Sequence, residues 1–236
     1  MNRSPHRMIR GLIFLGLIFT FDHTAKGGIN LESGDLDDVA LIDFELETSP
    51  TVCVQMNTAI PLDQMTPLQR HLAFFDANAD SKVTVAETYR GLRLLNLAPP
   101  LALPAAIGIN GAMATATAGY PSLTLRIPSI EAGIHGSDSG IYDDNGEFDP
   151  ERFEAWFRTW DKDQDGGLNL KELAQRLYKE QDLFDVFGIM ASGGEFGALY
   201  LLAAQDGKVS KERLMALYQG TLFYDLAHER GVPNCS

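Results

Sequence analysis

The stretch HLAFFDANADSKVTVAE, residues 71–87, holds two chemistries side by side. Oxygen-bearing side chains fall at Asp76, Asn78, Asp80, Thr84 and Glu87, which are positions 1, 3, 5, 9 and 12 of an EF-hand calcium loop. Lys82 takes position 7, where such a loop presents a backbone carbonyl. Ser81 stands at position 6, which usually needs glycine for a left-handed turn; a side chain there costs on the order of 1 kcal/mol. Upstream, Thr66, Pro67 and Gln69 form a capping-box signature, and Leu68, Leu72 and Phe75 follow at helical spacing. His71 lies beside that apolar stripe. Taken alone, it reads as a core histidine at a helix edge.

A second loop, DKDQDGGLNLKE at residues 161–172, repeats the pattern. Asp161, Asp163 and Asp165 take positions 1, 3 and 5, Gly166 the turn, Gly167 the carbonyl position, Asn169 position 9 and Glu172 the closing position. Phe153, Phe157 and Trp160 give its entering helix the same apolar spacing. Two degenerate echoes lack ligands at key places, one around Asp206 and Gly207, the other around Asn145 and Gly146. A lone hand leaves an unpaired strand edge. The loop at 161 is therefore expected to pair with the turn near 206, and the loop at 76 with the turn near 141.

Composition bounds the rest. A formal net charge of −13, from 19 Lys and Arg against 32 Asp and Glu, argues against nucleic acid as a partner, because phosphate contacts need clustered cations. Cys53 and Cys235 specify neither a disulfide framework nor a zinc site and read as free thiols, although export would allow them to pair. Residues 1–25 carry Arg3, Arg7 and Arg10 before the apolar run GLIFLGLIFTF, the layout of a signal peptide or membrane-targeting segment. Residues 26–50 are acidic and read as a linker. Residues 51–93 form the first EF-hand region and residues 131–230 a C-terminal region with the second.

Between them, residues 94–130 are apolar and rich in proline, and no Asp, Glu, Lys, Arg or His occurs from Leu94 to Leu125. That length allows a membrane span. Pro99, Pro100 and Pro104 at the start, and Pro121 and Pro128 at the end, favour instead a hairpin or broken amphipathic helix that enters one leaflet. The fold class is mainly α, built from EF-hand helix–loop–helix units around a central apolar, lipid-associating segment.

The order of these parts resembles the caleosin family, calcium-binding lipid-body proteins of which some members are haem peroxygenases. The resemblance rests on QRHLAFFDANAD…ETYRGLR and HGSDSGIYD…GEF, followed by EFGALYLLAAQDGKVSKERLMALYQGTLFY. It implies calcium and haem as cofactors, with His71 and His135 matching the family's two haem-associated histidines. Read from its neighbours alone, His135 is a hydrogen-bonding residue in a Gly-Ser-Asp turn. The implied reaction moves oxygen from a fatty-acid hydroperoxide to an unsaturated lipid. The implied place is a lipid-droplet or ER surface, with the secretory pathway as the alternative that the N-terminal run raises.

Overall fold

The computed structural model describes residues 53–56, 58, 60–133, 139–143, 146–180 and 196–235. The expected targeting segment, the acidic linker and His135 lie outside the described residues. What is described is mainly helical. Helix α1, Pro67–Ala73, starts on the expected capping box: the Gln69 N–H donates to Thr66 Oγ1 at 3.3 Å, and the Thr66 N–H donates to Gln69 Oε1 at 3.2 Å. Strand β1, Lys82–Val83, and helix α2, Val85–Leu94, complete the first helix–loop–helix unit. Helix α4, Pro150–Trp160, capped by Asp149, leads into strand β3, Gly167–Asn169, and helix α5, Leu170–Glu180, which form the second. Between the units lie the 20-residue helix α3, Pro99–Ala118, and strand β2, Leu125–Arg126. After them come α6 over 196–203, strand β4, Lys208–Ser210, α7, Lys211–Tyr218, and α8, Leu222–Glu229.

The two loops share one backbone geometry. Positions 4 and 6 are left-handed in both, with φ of 61° at Ala79 and 65° at Ser81 against 58° at Gln164 and 83° at Gly166. Ser81 thus adopts the strained conformation its place requires. Each exit helix is capped from within the loop, Thr84 Oγ1 accepting from the Glu87 N–H and Asn169 Oδ1 from the Glu172 N–H. The second unit pairs as expected, with Leu168 opposite Val209 in an antiparallel ladder and both side chains wholly buried.

Pairing of the first unit differs from expectation. Strand β1 does not meet the turn near 141; Val83 pairs with Leu125, and Lys82 with Arg126. The reason is α3, which runs past the first unit and reverses at Gly119, a left-handed C-cap with φ of 75°, so the returning chain reaches β1 first. The turn near 141 closes on itself through a bridge between Tyr142 and Phe148.

Helix α3 also corrects the expected break. Pro99 and Pro100 occupy the first turn, where backbone N–H groups have no partner in the helix anyway, and the exposed Pro104 removes a single internal bond. One side of this helix is buried through Ala102, Ala106, Asn110, Ala114 and Thr117. Asn110 is wholly buried: Nδ2 donates to Val83 O at 3.0 Å and to Leu123 O at 2.7 Å, while Oδ1 accepts from Thr88 Oγ1 at 2.7 Å. The opposite side, with Pro100, Pro104, Ile107 and Thr115, is exposed and uncharged.

The cysteines are not free. Cys53 and Cys235 form a disulfide across 182 residues of sequence. A parallel bridge brings the two ends together: the Val54 N–H donates to Pro233 O and the Cys235 N–H to Val54 O, both at 2.8 Å. Spacing could not reveal this, because the contact is made by the termini of the folded part. Closing so long a loop removes much unfolded-state freedom. Replacing both cysteines by serine is expected to lower stability to urea by about 2–4 kcal/mol; an unchanged denaturation midpoint, compared with the oxidised protein, contradicts the staple.

Candidate active site

Helix α1 places His71 against the C-terminal helices. Gly220, between α7 and α8, has φ of 76°, and a Cβ there would lie 2.2 Å from Pro67 O and 3.1 Å from the His71 N. Only glycine permits that approach. Arg70 fastens the contact, donating through Nε and Nη2 to Gln219 O at 3.2 and 3.1 Å, and the Tyr224 hydroxyl donates to Arg70 O at 3.3 Å. The His71 ring packs against Phe223, with centroids 4.5 Å apart.

His71 is half-buried and lines a cavity of about 170 Å³ bounded by α1, α2, α3, α5, α6 and α7. The wall is largely apolar, with Phe75, Leu92, Ile109, Met113 and Leu199 among its residues. Burial pushes the His71 pKa down to about 4 from an ordinary 6.5, so the imidazole is neutral at pH 7 and keeps a lone pair. Such a ring can ligate a metal or accept a proton.

A charged residue lines the same cavity. Arg176 on α5 is 1% exposed, and its guanidinium carbon lies 4.3 Å from the centroid of Phe196 and 6.0 Å from that of Trp156. Sequence reading missed it. The signal was there: Arg176 stands three residues after Leu173, on the apolar side of α5. Asn110 was missed too, as the one amide on the buried face of an otherwise apolar helix.

In the first loop Asp76 is 1% exposed and accepts from the Asp80 and Ser81 N–H groups, whereas Asn78 and Asp80 face solvent. The carboxylate of Glu87 is divided: Oε2 accepts from the Thr84 N–H and hydroxyl, both at 2.9 Å, while the buried Oε1 has no hydrogen-bond partner among the described residues. Desolvation raises the pKa of both Asp76 and Glu87. In the second loop, oxygens of Asp161, Asp163 and Asp165 lie within 4.8 Å of one another, the one such acidic trio among the described residues. Glu172 is buried and accepts from the N–H groups of Lys162 at 2.7 Å and Asn169 at 3.0 Å. Lys208 Nζ stands 3.0 Å from Asp165 Oδ2, a cation already at the rim of that trio. Lys82 lies in β1 and Gly167 in β3.

His71 is therefore brought beside a cavity and, through Phe75, onto the first loop, but its expected partner His135 falls outside the described residues. Comparison with known proteins gives the family. The chain is 33% identical over 168 residues to "Probable peroxygenase 4" of Arabidopsis thaliana, covering 69% of this chain and 86% of that protein. It is 32% identical over 171 residues to "Peroxygenase" of Lilium longiflorum, covering 70% and 72% respectively. A shorter likeness, 28% over 90 residues, joins it to a "Probable inactive peroxygenase-like protein" of Arabidopsis thaliana and covers 38% of this chain and 44% of that protein. No solved structure matches. The two relatives matched over most of the chain are both named peroxygenases. The family model described as "Caleosin related protein" matches residues 63–227, a span that holds both loops, the apolar helix and the cavity; the chain belongs to the caleosin family.

Proposed function

We propose that this chain is a calcium-binding, haem-dependent peroxygenase that moves oxygen from a fatty-acid hydroperoxide to an unsaturated lipid. The observation that carries the reading is His71, a neutral imidazole at the wall of an apolar cavity. Its chemistry suits a ligand of haem iron, and the apolar character of the walls matches that of a porphyrin's faces. At about 170 Å³ the cavity takes part of an acyl chain as it stands, and the macrocycle only when the walls part. When bound, haem supplies the iron at which a hydroperoxide O–O bond can be cleaved.

The chain's own residues do the positioning. Phe223 packs on the His71 ring, and Gly220 lets the C-terminal helices approach the backbone of α1. The apolar wall keeps out water and holds an acyl chain, while His135, by family likeness, would be the second histidine that helps to hold the haem or moves the proton. Calcium at Asp76, Asn78, Asp80, Thr84, Glu87 and the Lys82 carbonyl would hold the loop that follows α1. The buried, unpartnered Glu87 Oε1 beside the buried Asp76 supports a cation there. Asp161, Asp163, Asp165, Glu172, Asn169 and the Gly167 carbonyl form the second candidate site.

The exposed side of α3 is proposed to rest on a lipid-droplet or ER surface. This helix is long and apolar enough to cross a membrane, with mean hydropathy 1.3, and 28% of that stretch is buried in the protein. Its buried Asn110 face supports lying along a lipid surface rather than spanning a bilayer. The Cys53–Cys235 disulfide favours the oxidising side, the secretory pathway or the ER lumen.

Purified protein loaded with haem is expected to show a Soret band, and His71→Ala is expected to weaken haem binding by at least about 100-fold. Excess chelator should sharply reduce turnover with a fatty-acid hydroperoxide. A protein that stays colourless with haem overturns the cofactor reading, and full turnover in chelator overturns the calcium coupling.

A pH dependence follows from His71. Because its pKa is lowered on folding, the unfolded chain takes up a proton between about pH 6.5 and 4 that the folded state refuses, so stability falls as pH falls through that window. Replacing His71 by Phe in haem-free protein should shrink the drop in melting temperature between pH 7 and pH 5; an identical drop in both proteins contradicts the neutral imidazole.

A further inference from the structure

We propose that Lys82 and Arg126 form a binding site for the phosphate of an anionic phospholipid headgroup, beside the C-terminal end of α3. This site deepens the reading of α3 as a lipid-facing helix, on which it rests, by naming what is recognised at that surface. It arises from the strand pairing of the first unit. Because α3 reverses the chain at Gly119, β2 lies antiparallel to β1, and Lys82 stands directly opposite Arg126. Residues opposite one another share a face of the ladder. The adjoining pair, Val83 and Leu125, points the other way and is wholly buried, so the two cations are turned together to the outside. Like charges placed opposite one another destabilise a strand pair. Among the described residues neither cation forms an ion pair that would relieve this. An anion between them would.

Both line a surface pocket of about 290 Å³, together with Asp80 and Ser81. Asp80 Oδ1 accepts from the Lys82 N–H at 2.9 Å, and one acid against two cations leaves the pocket positive in a chain whose net charge is −13. Arg126 Nη2 donates to the Tyr120 hydroxyl at 2.8 Å, which steadies the guanidinium. The fork has further N–H donors for phosphate oxygens, and the lysine adds a point charge. Position selects a lipid as the source of the phosphate. Arg126 is the first charged residue after the uncharged run that ends at Leu125, and Tyr120, just past the end of α3, is 53% exposed. An amphipathic ring and a cation at the end of an apolar segment suit the boundary between acyl chains and water, the depth at which headgroup phosphates lie.

The test uses the full, disulfide-intact chain and its Lys82→Gln/Arg126→Gln double variant, with melting temperature as the check on folding. Sedimentation at fixed salt compares vesicles of phosphatidylcholine alone with vesicles that also contain phosphatidylglycerol. Arg3, Arg7 and Arg10 are common to both proteins, so the readout is the change in preference on substitution. The preference of wild-type protein for anionic vesicles is expected to exceed that of the double variant by about tenfold, with each single variant between. Equal preference in the wild-type and folded variant proteins overturns the proposal. Equal binding of wild-type protein to both vesicles also overturns it, needs no variant to fold, and leaves the lipid contact of α3 standing. Calorimetric binding of inorganic phosphate that is lost in the variant while vesicle preference is unchanged overturns the lipid assignment in favour of a free anion. Binding to anionic vesicles that requires the two cations, in a protein that ignores neutral vesicles, supports the site while removing the lipid-facing reading of α3.

Discussion

A buried amide holds the two sequence-distant parts of the first half together. Asn110 sits on an apolar helix and spends three hydrogen bonds on strand β1, on the chain returning from the helix, and on α2. Leaving such a group without partners inside a protein costs about 1–3 kcal/mol per lost bond, so the helix is bound to this position rather than free to slide or detach. Around it the small residues Ala102, Ala106 and Ala114 let the helix approach the first unit closely. Thr117 extends the polar seam, accepting from the Arg126 N–H at 3.3 Å while Ser129 Oγ donates to Thr117 O at 2.6 Å. The apolar segment is consequently a wall of the cavity on one side and an uncharged surface on the other.

This arrangement links the first acidic loop to the candidate active site by short steps. Phe75 lines the cavity and immediately precedes Asp76, the first residue of the loop. Its ring presses on the Gly91 backbone of α2, where an added Cβ would meet it at 2.2 Å. Any change in the loop that moves Asp76 is passed to Phe75 and thence to the cavity, because close-packed interiors do not absorb displacement. From the other side, Phe223 contacts His71 and also packs on Phe74 and Phe75. His71 is thus held between the first unit and the C-terminal helices, so its environment reports on both.

Local rules made much of this legible. Thr66 and Gln69 announced the start of α1 because a capping box is a short-range device, and the left-handed requirement at Ser81 could be stated because loop position alone dictates it. The pairing of the loop at 161 with the turn near 206 was legible because a lone hand leaves an unpaired strand edge, and Leu168 does meet Val209 there. Long-range features escaped. Leu125 takes the place beside Val83 only because α3 turns the chain back there, and Cys53 finds Cys235 only because the two ends meet. Counting prolines misjudged α3, since Pro99 and Pro100 fall where a helix has no bond to lose. Arg176 was legible in principle, as a charge in an apolar stripe, yet only the fold gives it Phe196, Trp156 and His71 as company.

The central claim is that the apolar helix is docked through Asn110 and that the site's architecture depends on that docking. Hydrogen exchange of Asn110→Ala against the parent chain tests it most directly. The account predicts that amides of β1 and β2 and of helix α1 become faster together with those of α3, by on the order of 100-fold, as expected for a loss near 3 kcal/mol. Faster exchange confined to residues 99–118, or no change at all, would contradict it.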